Sequence, residues 1–148
     1  LIRSETLRTM QQTHREHDAA ATLATSIIDD PTGYGRIIRN DQGRFEAIIE
    51  HKNATDAQRA ISEVYPSYAL FDAGRLFDEL ETLAPDSVTG EVYLTEIPAR
   101  LHRAGHRVEV VDAVPPEDIL SINTMDQLAE VDAILRARLA SQVAETSQ

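Results

Sequence analysis

The chain has 148 residues, and its composition of 42% hydrophobic and 26% charged residues is typical of a globular domain that can bury a core. Fourteen Lys and Arg against twenty-five Asp and Glu give a net charge of −11, which argues against nucleic-acid binding because such affinity depends on cationic groups. No stretch has the pattern of a membrane span or a secretory signal, and the chain has no cysteine for disulfides or thiolate metal sites, so we expect a cytoplasmic protein that does not bind membranes.

The first third of the chain has the pattern of one helix followed by three strands. Apolar spacing and turn signals predict a helix at 4–17, a buried strand at 20–28, and short strands at 36–39 and 44–50. The connection Asn40-Asp41-Gln42-Gly43 has the turn chemistry of a β-hairpin. We therefore expect this hairpin to hold Gly35 and Glu50 close together.

The rest of the chain alternates helices and strands. The predicted elements are a short helix at 55–61, a strand at 63–71, a helix at 73–83, a helix from Val92 or Tyr93 to Ala104, a strand at 107–112 and a long helix at 124–139. Thr55 and Thr124 each precede a Gln by three residues, which is a capping-box pattern. Pro98 fits its helix if Thr95 is the cap and Pro98 lies in the first turn. The alternation predicts one α/β unit.

Two motifs give the most specific signal in the sequence. The first, DPTGYGRI, occupies residues 30–37, and the second, IIEHKNAT, occupies residues 48–55. In this order they resemble the sugar-binding half of the sugar-1-phosphate nucleotidyltransferases, in particular the domain that transfers a uridylyl group to N-acetylglucosamine-1-phosphate. The resemblance extends over about 1–139, with a weaker segment of similarity at 90–128.

This resemblance implies both a fold and a reaction. Residues 1–140 would form the C-terminal portion of a Rossmann-like, mixed-sheet α/β nucleotidyltransferase domain, and 141–148 a polar tail. The parent enzyme would use Mg²⁺ and make a nucleoside-diphosphate sugar and pyrophosphate from UTP and a sugar-1-phosphate. We expect the nucleotide-binding half, with its glycine-rich loop, to precede Leu1 in the parent, so that the chain alone is inactive.

The resemblance also implies roles for three residues. Gly35 would present its backbone to the sugar, since the absence of a Cβ permits close approach. Glu50 would accept hydrogen bonds from sugar hydroxyls. Asn123 would offer an amide oxygen to Mg²⁺ at the start of a helix, where anions are favoured. Apart from the resemblance, the three residues have ordinary interpretations as a turn glycine, a solvated carboxylate and a residue at a helix start.

Three further side chains have an open interpretation. Tyr93 and Thr95 lie in the segment GEVYLTE at 90–96, which resembles a segment of the same family, and they either line the sugar pocket or pack in the core. Lys52 pairs with Glu50, binds a phosphate or is a plain surface cation. The five histidines do not have zinc-site spacing, because a glycine that ends a helix separates the two that stand four residues apart.

The sequence departs from the family at one place near the pocket. Tyr65 stands where the family has an Asn that contacts the amino sugar, and Ser67 stands where it has a Gly. A bulky phenol there implies a pocket reshaped for another sugar phosphate, or one that no longer works. The alternative function is therefore a noncatalytic module whose exposed sheet edge is covered by a partner or by a second copy.

Overall fold

The structure, a computed structural model, describes residues 1–85, 90–120, 122 and 124–146, with side chains through residue 141. Residues 2–116 form one compact unit, and Leu1 with the segment from Glu117 onward forms a second. Among the described residues, no helix has the combined length and apolar character needed to cross a bilayer.

The described elements follow the predicted order. They are α1 (Ser4–Glu16), β1 (Ala21–Ile27), β2 (Gly35–Arg39), β3 (Phe45–Ile49), α2 (Asp56–Arg59), β4 (Glu63–Phe71), α3 (Ala73–Glu81), α4 (Ile97–Arg103), β5 (Val108–Asp112) and α5 (Met125–Thr146). Single 3₁₀ turns lie at His51–Asn53, Leu94–Glu96 and Pro116–Asp118.

The five strands of the larger unit form one mixed sheet in the order β3-β2-β4-β1-β5. The pair β1 and β5 is parallel, whereas the other neighbouring strands are antiparallel. Parallel neighbours need a crossover, and the chain between β1 and β5 supplies one that contains the remaining strands and three helices. The predicted mixed α/β architecture is confirmed.

Strand β1 lies between β4 and β5 and is buried on both faces. Leu23 points to the face where Phe45 and Ile48 of β3 complete a cluster, and the neighbouring Ala24 packs with Met10 of α1 on the opposite face. Since successive side chains of a strand alternate between faces, this explains the unbroken run of small and apolar residues in β1. Through Phe45 and Ile48, the β2–β3 hairpin packs against the same face of the sheet as Leu23.

Helix boundaries match the prediction at most positions and differ at two. Helix α4 begins at Ile97 rather than at Val92 or Tyr93, and Glu96 rather than Thr95 is its N-cap residue. The prediction for Thr95 is wrong because its hydroxyl donates to another side chain, as described below. Helix α5 continues to Thr146 rather than ending near Leu139. No Gly or Pro lies between these last two positions, so nothing in the sequence forces an earlier end.

Candidate functional site

Gly35 and Glu50 meet at the open end of the β2–β3 hairpin. The antiparallel register pairs Arg36 with Ile49, which places Gly35 at the start of β2 beside Glu50 just beyond β3. A β-carbon added to Gly35 would lie 3.9 Å from Oε2 of Glu50 and only 3.0 Å from Cγ2 of Ile48. The predicted proximity of Gly35 and Glu50 is confirmed, and the lack of a side chain on Gly35 leaves the space in front of the carboxylate open.

The carboxylate of Glu50 is held in place from a distant part of the chain. The Oγ1 of Thr95, in the turn before α4, donates a hydrogen bond of 2.9 Å to Oε1 of Glu50. Both side chains line an open pocket of about 160 Å³, together with Asn53 and Tyr93. One carboxylate oxygen is therefore oriented by the protein, and the other faces the backbone of Gly35. Tyr93 and Thr95 thus both line this pocket, and their role in binding a sugar stays a prediction.

Lys52 makes its contacts at the rim of this pocket and pairs with Glu91. Its Nζ lies 3.1 Å from Oε2 of Glu91 and 4.8 Å from the centre of the Tyr93 ring. Hydrogen bonding, first with Tyr93 and then with Glu91, raises the pKa of Lys52 above its ordinary value. Lys52 thus remains charged and lies over the Tyr93 ring, while the described structure pairs Glu50 with Thr95.

The residues that depart from the family form an irregularity in β4 opposite the site. Tyr65 pairs with Gly35 across the sheet, and Ser67 has a φ of 70°. The β1–β4 register breaks between Ala24 and Ser26, opposite Tyr65-Pro66-Ser67, which is the geometry of a β-bulge. A left-handed φ favours glycine, so Ser67 occupies the position in a strained conformation. The backbone at Ser67 thus has the conformation that a glycine adopts readily.

Tyr65 is 9% exposed and packs with Leu23, Ile37, Phe45 and Ile48. Burial, and secondly the negative charge of Glu50, raise the pKa of the phenol to about 12. The phenol therefore remains neutral at every physiological pH, and its ring is part of the hydrophobic core.

Titration of Tyr65 provides a first test of this arrangement. Because the folded pKa lies above the ordinary value of 10.0, folding favours the neutral phenol. Its contribution to stability is fully present below about pH 10 and is lost as the pH rises through about 12. In an absorbance titration we expect one of the four tyrosines to ionise near pH 12, and this component to be missing from Tyr65→Phe. Ionisation of all four near pH 10, while circular dichroism still reports a folded chain, would contradict this placement.

Arg36, within the first motif, is a buried residue near the site that the sequence did not reveal. Its side chain is 1% exposed, and it donates to the backbone carbonyls of Tyr34 and of Arg59, the latter over 3.4 Å. Its Nη2 also lies 3.3 Å from Nδ1 of His51. These contacts join the segment before Gly35 to the segment after Glu50. Burial lowers the pKa of the Arg36 guanidinium.

Asn123, the third predicted site residue, lies outside the described residues. Among the residues that the structure describes, no group of three or more His, Asp or Glu side chains is arranged to hold a metal ion. The described part of the chain brings together two of the three predicted residues and adds Thr95, Tyr65 and Arg36 around them.

Comparison with known proteins shows which sequences the chain is similar to. No protein-family model matches the chain. The chain is 43% identical over 138 residues to the bifunctional protein GlmU of Solibacter usitatus, and 41% identical over 143 residues to that of Streptomyces avermitilis. These alignments cover 93% and 96% of the chain but only 30% of each relative. The chain thus spans about a third of the length of the curated relatives it matches.

Fold comparison points in the same direction. A crystal structure from Bacillus anthracis, of a protein described as a glucose-1-phosphate thymidylyltransferase in complex with sucrose, matches with a TM-score of 0.56. The match covers 72% of this chain and 40% of that one at 19% identity, so it establishes the fold alone. The resemblance to sugar-1-phosphate nucleotidyltransferases expected from the motifs is confirmed for this segment.

Proposed function

We propose that this chain supplies the sugar-phosphate-binding part of an enzyme that makes a nucleoside-diphosphate sugar from UTP and a sugar-1-phosphate. The observation that carries the proposal is the carboxylate of Glu50, which is oriented by Thr95 and lies beside the bare backbone of Gly35. An anionic acceptor with one oxygen fixed and open space in front suits a polyhydroxyl ligand. The similarity to segments of GlmU supports the same reading.

The reaction consists of one displacement at phosphorus. A phosphate oxygen of the sugar-1-phosphate attacks the α-phosphorus of UTP, a new P–O bond forms, and the bond to the leaving pyrophosphate breaks. Such transfer depends on in-line positioning and on neutralising phosphate charge. In this scheme Glu50 and Gly35 hold the sugar by its hydroxyls, so that its phosphate points toward the nucleotide.

Mg²⁺ belongs to the proposal as the cation that offsets phosphate charge during the transfer. Asn123 is the residue of this chain that we propose to contribute an amide oxygen to it, because amide oxygens are hard ligands suited to this ion. The remaining ligands would come from the phosphates, from water and from the rest of the parent protein.

Tyr65 is proposed to set the choice of sugar. Its ring is buried in the core cluster, and the charge of Glu50 contributes to raising the pKa of its phenol. A phenol at this position is bulkier than a small amide and offers fewer hydrogen-bonding groups. A site that lacks hydrogen-bonding groups for an N-acetyl substituent discriminates weakly in its favour.

The experiment is an assay of pyrophosphate release by the parent protein with UTP and a panel of sugar-1-phosphates. We expect turnover with at least one sugar. Tyr65→Asn should raise the ratio of kcat/KM for N-acetylglucosamine-1-phosphate over that for glucose-1-phosphate by about tenfold, the scale of a few added contacts. Tyr65→Phe, which keeps the ring, is the control and should leave the ratio unchanged. Absence of pyrophosphate release with every sugar tested would reject the proposal in favour of a noncatalytic module.

A further inference from the structure

A second cavity, of about 470 Å³, lies between the tip of the β2–β3 hairpin and the turn that joins α4 to β5. Its charged and imidazole-bearing lining residues are Arg39, Arg44, His102, His106, Arg107 and Glu109. None of its lining residues lines the pocket around Glu50. The cavity is therefore a separate feature of the same compact unit.

The charge of this cavity is opposite to that of the chain. Three arginines and two histidines line it against a single carboxylate, whereas the chain as a whole carries a net charge of −11. A cavity wall of one sign focuses the electrostatic field and attracts ligands of the other sign. The attracted ligand would be an anion.

The three arginines differ in how far they are already neutralised. Arg39 makes a two-point ion pair with Glu63, at 2.8 and 2.7 Å, and Arg107 pairs with Glu109. The guanidinium of Arg44 instead donates to the neutral Oε1 of Gln42. Among the described residues Arg44 has no carboxylate partner, so it supplies the positive charge most available to a ligand.

The backbone that presents Arg44 is fixed before any ligand arrives. Oδ1 of Asn40 accepts hydrogen bonds from the backbone N–H of both Gln42 and Arg44, each at 3.0 Å. Gly43 takes a φ of 74° to complete the turn, and its carbonyl accepts from Nη1 of Arg39 at 2.9 Å. A preorganised wall loses little conformational freedom on binding.

The opposite wall is built by the end of α4. Gly105, with a φ of 85°, ends the helix and directs the chain so that His106 lines the cavity one turn beyond His102. The ring of His102 is held edge-on to Phe45, with ring centroids 6.2 Å apart. Both imidazoles line the same cavity as Arg44, and an imidazole N–H group can donate a hydrogen bond to an anion.

We propose that this cavity binds a phosphorylated small molecule, with the phosphate held by Arg44, His102 and His106. A guanidinium fork and imidazole N–H groups match phosphate oxygens in both charge and geometry. The volume accommodates a phosphate group together with a small organic group. The proposal does not rest on the proposed function, because none of its residues belongs to the site around Glu50.

The test is isothermal titration of inorganic pyrophosphate into the 148-residue chain, without divalent cations and at constant ionic strength. We expect saturable binding that Arg44→Gln weakens about tenfold, the scale of one charge-assisted hydrogen-bonding group. His106→Gln should weaken it by a smaller factor. Arg8→Gln is the matched control, because Arg8 is an exposed arginine on α1 whose loss changes the net charge equally. It should retain the wild-type affinity.

Three results would overturn the proposal. They are the absence of binding, equal weakening by Arg8→Gln and Arg44→Gln, and loss of binding in Glu50→Gln, which would locate the anion in the other pocket. Far-ultraviolet circular dichroism of each variant checks that the fold persists. Since His106 and Arg44 lie on different walls, either variant alone suffices to test the site if the other fails to fold.

Discussion

Replacing Glu50 by Gln in the parent protein is expected to lower kcat/KM for the sugar-1-phosphate of the proposed reaction by roughly 10- to 150-fold. The substitution keeps the size of the side chain and an acceptor for the Thr95 hydroxyl, but it removes the negative charge. A hydrogen bond to a charged group contributes about 1.5–3 kcal/mol, and this range sets the expected loss. Steady-state kinetics with varied sugar-1-phosphate at saturating UTP measure it.

Two variants make this result specific. Glu46→Gln removes an exposed carboxylate from β3, the strand that leads to Glu50, and should leave kcat/KM within twofold of wild type. Thr95→Val removes the hydroxyl that orients Glu50 and should give an intermediate loss, since the carboxylate keeps its charge but loses its fixed direction. If Glu50→Gln retained the wild-type kcat/KM, Glu50 would not bind the sugar.

Replacing Arg36 by Ala is expected to lower the free energy of unfolding of the chain by about 3 kcal/mol. The guanidinium is 1% exposed and satisfies the carbonyls of Tyr34 and Arg59, so truncation leaves both acceptors without their donor and opens a cavity. Urea denaturation monitored by circular dichroism measures the loss. An equal and small loss in Arg36→Ala and in the surface control Arg8→Ala would contradict the account.

The variant Arg36→Met separates packing from hydrogen bonding. Methionine fills much of the same volume but donates no hydrogen bond, so it should recover only the cavity part of the loss. Nε of Arg36 is buried without a partner among the described residues, so the native arrangement already includes one unsatisfied donor. Arg36 joins two segments, one on each side of the candidate site, and this link explains why a buried arginine stands here.

The sequence predicted correctly the features that depend on residues close together in the chain. Thr55 and Gln58 form the predicted capping box, and the hairpin turn at 40–43 closes as its residues require. The hairpin register then follows from the turn and from the alternation of Ile37 and Ile48 into the core. Proximity of Gly35 and Glu50 is therefore predictable, because one short connection determines it.

The features that the sequence did not predict depend on contacts between distant segments. Thr95 has the pattern of a helix cap, but its hydroxyl binds Glu50, 45 residues away in the chain. Arginine is mostly exposed in proteins, so burial of Arg36 could only be found by assembling the hairpin with the segment after it. The one sign of this burial in the sequence was that Arg36 directly precedes the two isoleucines of β2.

The bulge in β4 contains Tyr65 and Ser67, the two residues that differ from the family motif. Ser67 has the left-handed φ expected of the glycine that the family has there, and Tyr65 occupies the pairing position opposite Gly35. The φ of Ser67 suits a glycine, whereas the side chain of Tyr65 is larger than that of the Asn in the family motif. We therefore expect the parent protein to carry out the same class of reaction but to prefer a different sugar.

A crystal structure of the parent protein soaked with N-acetylglucosamine-1-phosphate or glucose-1-phosphate would show whether Glu50 and Gly35 bind the sugar of a sugar-1-phosphate. We predict a sugar hydroxyl within about 3 Å of a carboxylate oxygen of Glu50, with the ring against the backbone of Gly35. A sugar phosphate bound elsewhere, with the pocket between Glu50 and Tyr93 unoccupied at saturating ligand, would contradict it.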